Sequence, residues 1–521
     1  MAAIAATSNE AEATKSLLID PVVEEELATE AVSWASMNGL QMVHPHHDEA
    51  ATFIHAPFSL LPNVYPRQEF ERAKRLSPLY NLLVDRVACD SEWLDRTLAP
   101  VLEDDPFTAR LVELWKSTPH QTRRLGIHRS DYMLHGPLSR FLQIELNTIA
   151  SSFGCISSRV ADLHNHMLTR YGATPALLPH LQEALRRLSV TTDAENWGEA
   201  VAALHLPENP TLEALPKALA AAHAEYGKDD AVVAFVVQPG EKNVVDQRFL
   251  EGELWRKHGV RVRRVSLAQI EASAKIDASS GALALESGEE VSVVYFRAGY
   301  TPDDYPSDKE WEGRRRLELS SAIKCPCLAY HLAGTKKVQQ QLAQPGEVER
   351  FLTADEASAV RESFAALHPM STAEMGAEAW AALEDAKEHP ERFVLKPQRE
   401  GGGNNFYGDA LRDKLIEAFP AAGEANVTAG HKGLPELILM QRIMPDLQPA
   451  VLVVRGKSTQ GQTLSEFGVF GTFLAVEDEG ASEPRIEVNE YGGHILRTKL
   501  DGVDEGGVAT GYAVLSSPMV V

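Results

Sequence analysis

Two short apolar runs, Val232-Val-Ala-Phe-Val-Val237 and Val291-Ser-Val-Val-Tyr-Phe296, bracket a helical stretch at 247–257. Runs this brief and this rich in β-branched residues read as strands, and their alternation with a helix predicts an α/β architecture. Further strands are expected at 437–440, 450–455 and 464–476, the last alternating small and bulky residues around Gly468 and Gly471. Helical patterning over 69–87 and 91–102 predicts a helical N-terminal region behind an Ala/Glu-rich lead-in at 1–30, and the Ala-rich stretches 353–391 and 421–435 read as helices and connections.

A chain of 521 residues exceeds one ordinary core, so several lobes are expected. Its net charge of −24, with no long Lys/Arg run, excludes a nucleic-acid partner, although an acidic surface can still surround a basic pocket. No stretch approaches the roughly 18 apolar residues that span a bilayer, and Met1-Ala-Ala-Ile-Ala-Ala lacks a basic leader, so no membrane partner and a cytoplasmic location are expected. Four cysteines, Cys89, Cys155, Cys325 and Cys327, are too few and irregular for a disulfide framework and fit a reducing compartment. Cys325-Pro-Cys327 is half a zinc site without a second pair, so inert thiols are expected there. His44, His46, His47 and His55, broken by Pro45, read as a solvated loop.

The segment Leu395-Lys-Pro-Gln-Arg-Glu-Gly-Gly-Gly-Asn-Asn-Phe-Tyr-Gly408 follows a strand-like run. Gly401, Gly402 and Gly403 let backbone N–H groups approach an anion, while Lys396 supplies charge and Glu400 a hard oxygen ligand. A mobile Gly/Asn surface turn is the plainer alternative, and the Walker pattern is absent. In Gln143-Ile-Glu-Leu-Asn-Thr148 the alternation places Gln143, Glu145 and Asn147 on one strand face, with Ile144 and Leu146 toward the core. With Glu400, Glu145 and Asn147 would make a magnesium site, unless this is only the exposed face of an amphipathic strand. Arg129, Arg297 and Arg497 each close a run that looks buried, Lys499 follows Arg497, and such groups suit a carboxylate and a phosphate respectively. Internal salt bridges would satisfy the same arginines, but three beside a phosphate loop favour a small anionic substrate.

In chain order, Arg129-Ser-Asp-Tyr-Met133, Gln143-Ile-Glu-Leu-Asn-Thr-Ile149, Ala333-Gly-Thr-Lys-Lys-Val-Gln-Gln340, the glycine-rich segment, Ser465-Glu-Phe-Gly-Val-Phe-Gly471, Leu496-Arg-Thr-Lys499 and Gly506-Gly-Val-Ala-Thr-Gly511 resemble the eukaryotic-type glutathione synthetases of the ATP-grasp ligase group. The resemblance covers about 31–521. It implies an α/β (α+β) ATP-grasp body, with its N-terminal part at 31–228, an inserted substrate-binding domain at 229–334, and the remaining body and lid at 335–521. It implies a homodimer that uses ATP and Mg2+ to join γ-glutamylcysteine and glycine through an acyl phosphate.

The metal ligands it implies are Glu145, Asn147 and Glu400, and the catalytic groups Arg129, Lys336, Lys396 and Arg497. Nucleotide contacts would fall on Glu145, Lys336, Lys396, Glu400, Gly401, Gly402, Gly403, Asn404, Asn405, Tyr407, the adenine-framing Met440, Gln441, Arg442 and Ile443, and on Glu466, Lys499 and Glu505. The dipeptide would meet Arg129, Ile149, Ala150, Ser151, Ser152, Glu241, Asn243, Gln247, Arg297, Ala298, Gly299, Tyr300, Arg497, Val508 and Ala509. Ala150-Ser151-Ser152 stands where the family often has Ser-Ala-Ser, Ala298 replaces an aspartate, Glu505 stands for an aspartate, and insertions are expected before 229 and between 409 and 435. Two alternatives stay open: a homoglutathione-type ligase using β-alanine, against which Val508-Ala509 speaks, and a nucleotide-binding scaffold without chemistry, against which the intact Glu145, Asn147, Glu400, Lys336 and Lys396 speak.

Overall fold

The computed structural model describes residues 19–44, 52–172, 177, 206–397, 405–420, 432–503, 507–508, 511 and 513–521. The strands that build the site are β1 (Phe58–Ser59), β2 (Arg123–His135), β3 (Arg140–Asn147), β4 (Val232–Val236), β5 (Val262–Val265), β6 (Val291–Phe296) and β7 (Ile323–Cys325). They continue with β8 (Leu367–Ser371), β9 (Phe393–Pro397), β10 (Gly433–Gln441), β11 (Gln448–Val454), β12 (Lys457–Val476), β13 (Arg485–Leu500) and β14 (Val514–Ser516). One large sheet runs in the order β11-β1-β14-β13-β12-β2-β7-β6-β4-β5, with β3 attached to β2.

Its two halves differ in kind. From β7 to β5 neighbouring strands are parallel, and β4 and β6 are buried at every position, as strands covered by helices on both faces must be. The other half is antiparallel except where β14 pairs with β1 in parallel, and it is dominated by the long β12–β13 ladder. β2 belongs to both. One edge pairs with β12, while the other is divided: Arg124 pairs with Lys324 of β7, and 129–135 pair with β3. The sheet therefore forks along β2, and the Arg129 end of the fork carries the site described below.

The helix Arg67–Cys89 packs across β12, where Gly471 leaves room for it: a Cβ there would lie 2.3 Å from Asn81 Oδ1 and 2.8 Å from Ser77 Oγ. A second sheet, β8-β10-β9, buries its own core against the helices Ala377–Glu388 and Gly408–Ala418 through Trp380, Leu383, Leu395, Leu411 and Leu439.

The α/β expectation is met, and the helices Pro21–Met37, Arg67–Cys89, Ser91–Leu98 and Pro106–Lys116 form the helical N-terminal region. Two readings change. β8 lies inside 353–391, where helices and connections were expected; as an edge strand it tolerates Pro369, which disguised it. His55 is buried on a strand, not in a solvated loop: its Nδ1 faces the Ala56 carbonyl at 2.8 Å and its Nε2 accepts from the Gly456 N–H at 2.7 Å. All four cysteines are free, three of them buried. No helix among the described residues is long and apolar enough to cross a membrane.

Candidate functional site

Antiparallel pairing of β2 with β3 sets Arg129 opposite Asn147 and Asp131 opposite Glu145. Residues directly opposite share a face, so these four polar side chains converge. A register shift between Asp131 and Tyr132 sends Gln143 to the other face, where its amide donates to Ser130 Oγ at 2.6 Å. The expected common face therefore holds for Glu145 and Asn147 but not for Gln143. Arg129 donates from Nε and Nη2 to the two Asp131 oxygens at 2.7 and 2.8 Å. Arg497 of β13 donates from Nη2 to Asp131 at 2.8 Å and to Glu466, its cross-strand partner on β12. Asn147 donates its amide N–H to Asp131 at 3.0 Å and to the Arg129 carbonyl at 3.3 Å. Arg129 and Arg497 thus sit within strands, and only Arg297 directly follows one.

Two lysines face this group from other elements. Lys336, the first residue of the helix Lys336–Leu342, places Nζ 2.6 Å from Glu145 Oε2. Lys396 of β9 donates to the Ile144 carbonyl at 3.4 Å. Burial alone would raise the Glu145 carboxyl, but Lys336, Lys396 and Arg497 together hold it well below the usual carboxylate range. Carboxylate oxygens of Asp131, Glu145 and Glu466 lie within 4.8 Å of one another, a hard-oxygen set of the kind a divalent cation takes. Glu400, Gly401, Gly402, Gly403, Asn404, Glu505 and Ala509 lie outside the described residues, so the third expected ligand is not placed.

Between β3 and the small sheet lies an apolar cluster of Leu142, Ala365, Val394, Met440 and Ile443, with Ile144 and Tyr407 packed against it. The Arg442 guanidinium lies 5.7 Å from the Tyr407 ring centre, Asn405 donates to the Tyr407 hydroxyl at 3.2 Å, and Gln441 accepts from the Ala366 N–H at 3.3 Å. Val394 and Lys396 are two residues apart on β9 and so share one face of the strand. Lys499, two residues beyond Arg497, pairs with Leu464.

A second group gathers at the carboxyl ends of β4 and β6, where open parallel sheets place ligands. Arg297 donates to the Ser151 carbonyl at 2.7 Å, and Arg129 reaches the Ser152 carbonyl at 3.4 Å, so one turn joins both groups. That turn is sharp: Ala150 and Phe153 have φ of 52° and 64°, and Ile149 is buried in the neighbouring core. The Asp246 carboxylate accepts from the N–H groups of Phe153 at 2.9 Å and Ile156 at 3.1 Å. Glu241 accepts from the Asn243 N–H at 2.8 Å and from Gln247 at 2.6 Å. The side-chain amide of Asn243 and the Ser151 hydroxyl are buried without a hydrogen-bond partner among the described residues, a cost that a polar ligand would relieve. Asp304 accepts from the N–H groups of Gly299, Tyr300 and Thr301 at 2.8, 3.1 and 3.3 Å and so holds the turn that follows Ala298. Val508 is buried.

Asp131 and Asp304 escape a reading of the sequence. Asp131 stands two residues from Arg129 in Arg129-Ser-Asp-Tyr-Met133, and its strand alternation was the available signal. Asp304 follows Pro302 as an ordinary turn residue and gave none.

Residues 22–520 match the family model described as the eukaryotic glutathione synthase, ATP binding domain. The chain is 38% identical over 513 residues to the chloroplastic glutathione synthetase of Solanum lycopersicum, covering 96% of this chain and 85% of that one. It is 35% identical over 517 residues to the glutathione synthetase of Homo sapiens, covering 97% and 99%. A solved glutathione synthetase-like effector from Globodera pallida in apo form shares the fold at a TM-score of 0.70 and 21% identity, over 97% of this chain and 99% of that one.

Proposed function

Because this chain belongs to the eukaryotic glutathione synthase family, ATP-dependent ligases that join γ-glutamylcysteine to glycine, we propose that the β2–β3 fork is where its ligation takes place. The observation that carries this is the meeting of two cationic groups at one acidic face: Lys336 and Lys396 around Glu145, and Arg129 and Arg497 around Asp131. Lysines are compact charges suited to phosphate, and guanidinium forks are suited to carboxylate. ATP lies with its base beside the Met440–Ile443 segment and its phosphates toward Lys336, Lys396 and Lys499; the resemblance assigns further nucleotide contacts to Gly401, Gly402, Gly403 and Glu505, and a dipeptide contact to Ala509. The dipeptide occupies the group around Arg297, Ser151, Asn243 and Gln247, within the 229–334 substrate domain and beside the 149–152 turn.

The cysteinyl carboxylate attacks the γ-phosphorus and ADP leaves; the glycine amine then attacks the acyl carbon, phosphate leaves, and the amine gives up its proton. No side chain serves as nucleophile. Arg129 and Arg497 orient the carboxylate, while Lys336 and Lys396 offset the charge spreading over the transferred phosphoryl group. Orientation of this kind can supply on the order of 7 to 11 kcal/mol. Glu145, Asn147 and Glu400 would hold Mg2+, which when bound would supply Lewis-acid neutralisation of phosphate charge. The resemblance also assigns a homodimer, and four free cysteines fit the cytoplasm.

The test is ADP release by the purified chain with Mg-ATP and γ-glutamylcysteine, with glycine, with β-alanine and with no added acceptor. Release that requires glycine and yields the tripeptide is expected. Preference for β-alanine would move the chain to the homoglutathione branch, and release indifferent to acceptor would end the ligase reading.

A further inference from the structure

We infer that Asp131 is a positioning residue for the ligation, the carboxylate that bridges Arg129 and Arg497 and holds them at the angle from which they meet the dipeptide; this rests on the function proposed above. Its side chain is 0% exposed, deeper than Glu145 at 21% and Glu466 at 18%. A buried carboxylate is tolerated only when its partners satisfy it, and Asp131 accepts from both arginines and from the Asn147 amide. Two guanidinium groups this close repel each other unless an anion lies between them. Burial pushes the Arg497 guanidinium down, Asp131 raises it, and Arg129 lowers it again.

A second, independent observation comes from the facing strand. Gly468 of β12 pairs with Asp131, and a Cβ there would lie 2.6 Å from Asp131 Oδ1, 2.6 Å from Ile495 Cγ2 and 3.0 Å from Arg129 Cδ. The strand omits a side chain where the carboxylate and guanidinium stack. Asp131 uses the Nε and Nη2 sides of Arg129, leaving Nη1 for the 149–152 turn, and it anchors Arg497 by Nη2. The carboxylate's two oxygens are engaged by the two guanidinium groups and the Asn147 amide, whose directions it fixes.

The experiment compares the full chain with Asp131→Asn, which keeps the shape and removes the charge, and Gly468→Ala, which keeps the charge and displaces the pair. Calorimetry reads the Kd for γ-glutamylcysteine without turnover, initial rates read KM for each substrate, and thermal melts confirm folding. Asp131→Asn should raise Kd and KM for the dipeptide about tenfold or more while KM for ATP stays put, and Gly468→Ala should shift them the same way by less. A lowered melting temperature with an unchanged dipeptide Kd would make Asp131 merely structural and overturn the inference. Should Asp131→Asn not fold, Gly468→Ala is read alone against the same two outcomes. An unmodified chain that neither binds the dipeptide nor shows glycine-dependent ADP release would instead overturn the functional reading, a result distinguishable from a normal chain with unshifted variants.

Discussion

At the residue scale, the Lys336–Glu145 contact concentrates the site's electrostatics. Lys336→Met keeps most of the side chain's length and apolar body while deleting its charge, so the helix it begins should persist. Turnover should fall at least about a hundredfold, the range found when one preorganised stabiliser of transition-state charge is removed. Steady-state rates beside a circular-dichroism melt check this; normal turnover in a folded variant would remove Lys336 from the chemistry. Glu145 and Asn147 were legible because strand alternation survives on their side of the register shift. Gln143 was misread because a bulge leaves no mark in the composition of the strand that carries it. Arg129 and Arg497 were recognised as cations, but the partner that orders them was not, since an aspartate near an arginine ordinarily reads as a surface pair.

At the element scale, the close approach of two short helices sets a sharp requirement. In the helix Asp308–Leu319, a Cβ on Gly313 would fall 2.1 Å from the carbonyl oxygen of Leu267, which begins the helix Leu267–Ser273. Alanine there gains about 1 kcal/mol of helix propensity, yet it presses on backbone that no rotamer change relieves. Gly313→Ala should therefore be net destabilising, by up to about 2 kcal/mol, because overpacking typically costs about 1 to 3 kcal/mol against the roughly 1 gained. Denaturant titration gives the sign directly, and a stabilised variant would show that the helices slide apart freely. The strands of this region were the most legible in the chain. Burial on both faces wrote them as unbroken apolar runs, whereas β8 depends on tertiary placement to accommodate its proline.

At the scale of the whole molecule, three buried histidines tie stability to pH. Burial holds His128 at about 3, His164 at about 4 and His494 at about 3, against an unfolded value near 6.5. The unfolded chain therefore binds more protons below pH 6.5. The contribution of these histidines is complete above that value and drains away as pH falls toward 4, at about 1.4 kcal/mol per pH unit for each. Glu145, held low by its cations, acts in the same direction at lower pH, while Asp246, raised by burial, opposes. Unfolding midpoints measured at pH 7 and pH 5 should drop markedly on acidification, and a flat profile would contradict the burial of these rings.

The forked sheet has a mechanical meaning. Because β2 is shared, the berth around Arg297 and the arginine pair around Asp131 are parts of one hydrogen-bonded plank, and neither can swing against the other without unzipping a strand. The small three-stranded sheet is hung differently. Its backbone ties to the plank include Gln143 to the Ser363 carbonyl at 2.6 Å and Gly136 to the Met444 carbonyl at 2.9 Å, set like two pins of a door. On the function proposed above, the nucleotide's place adjoins this pinned joint, while the dipeptide's place lies along the plank itself.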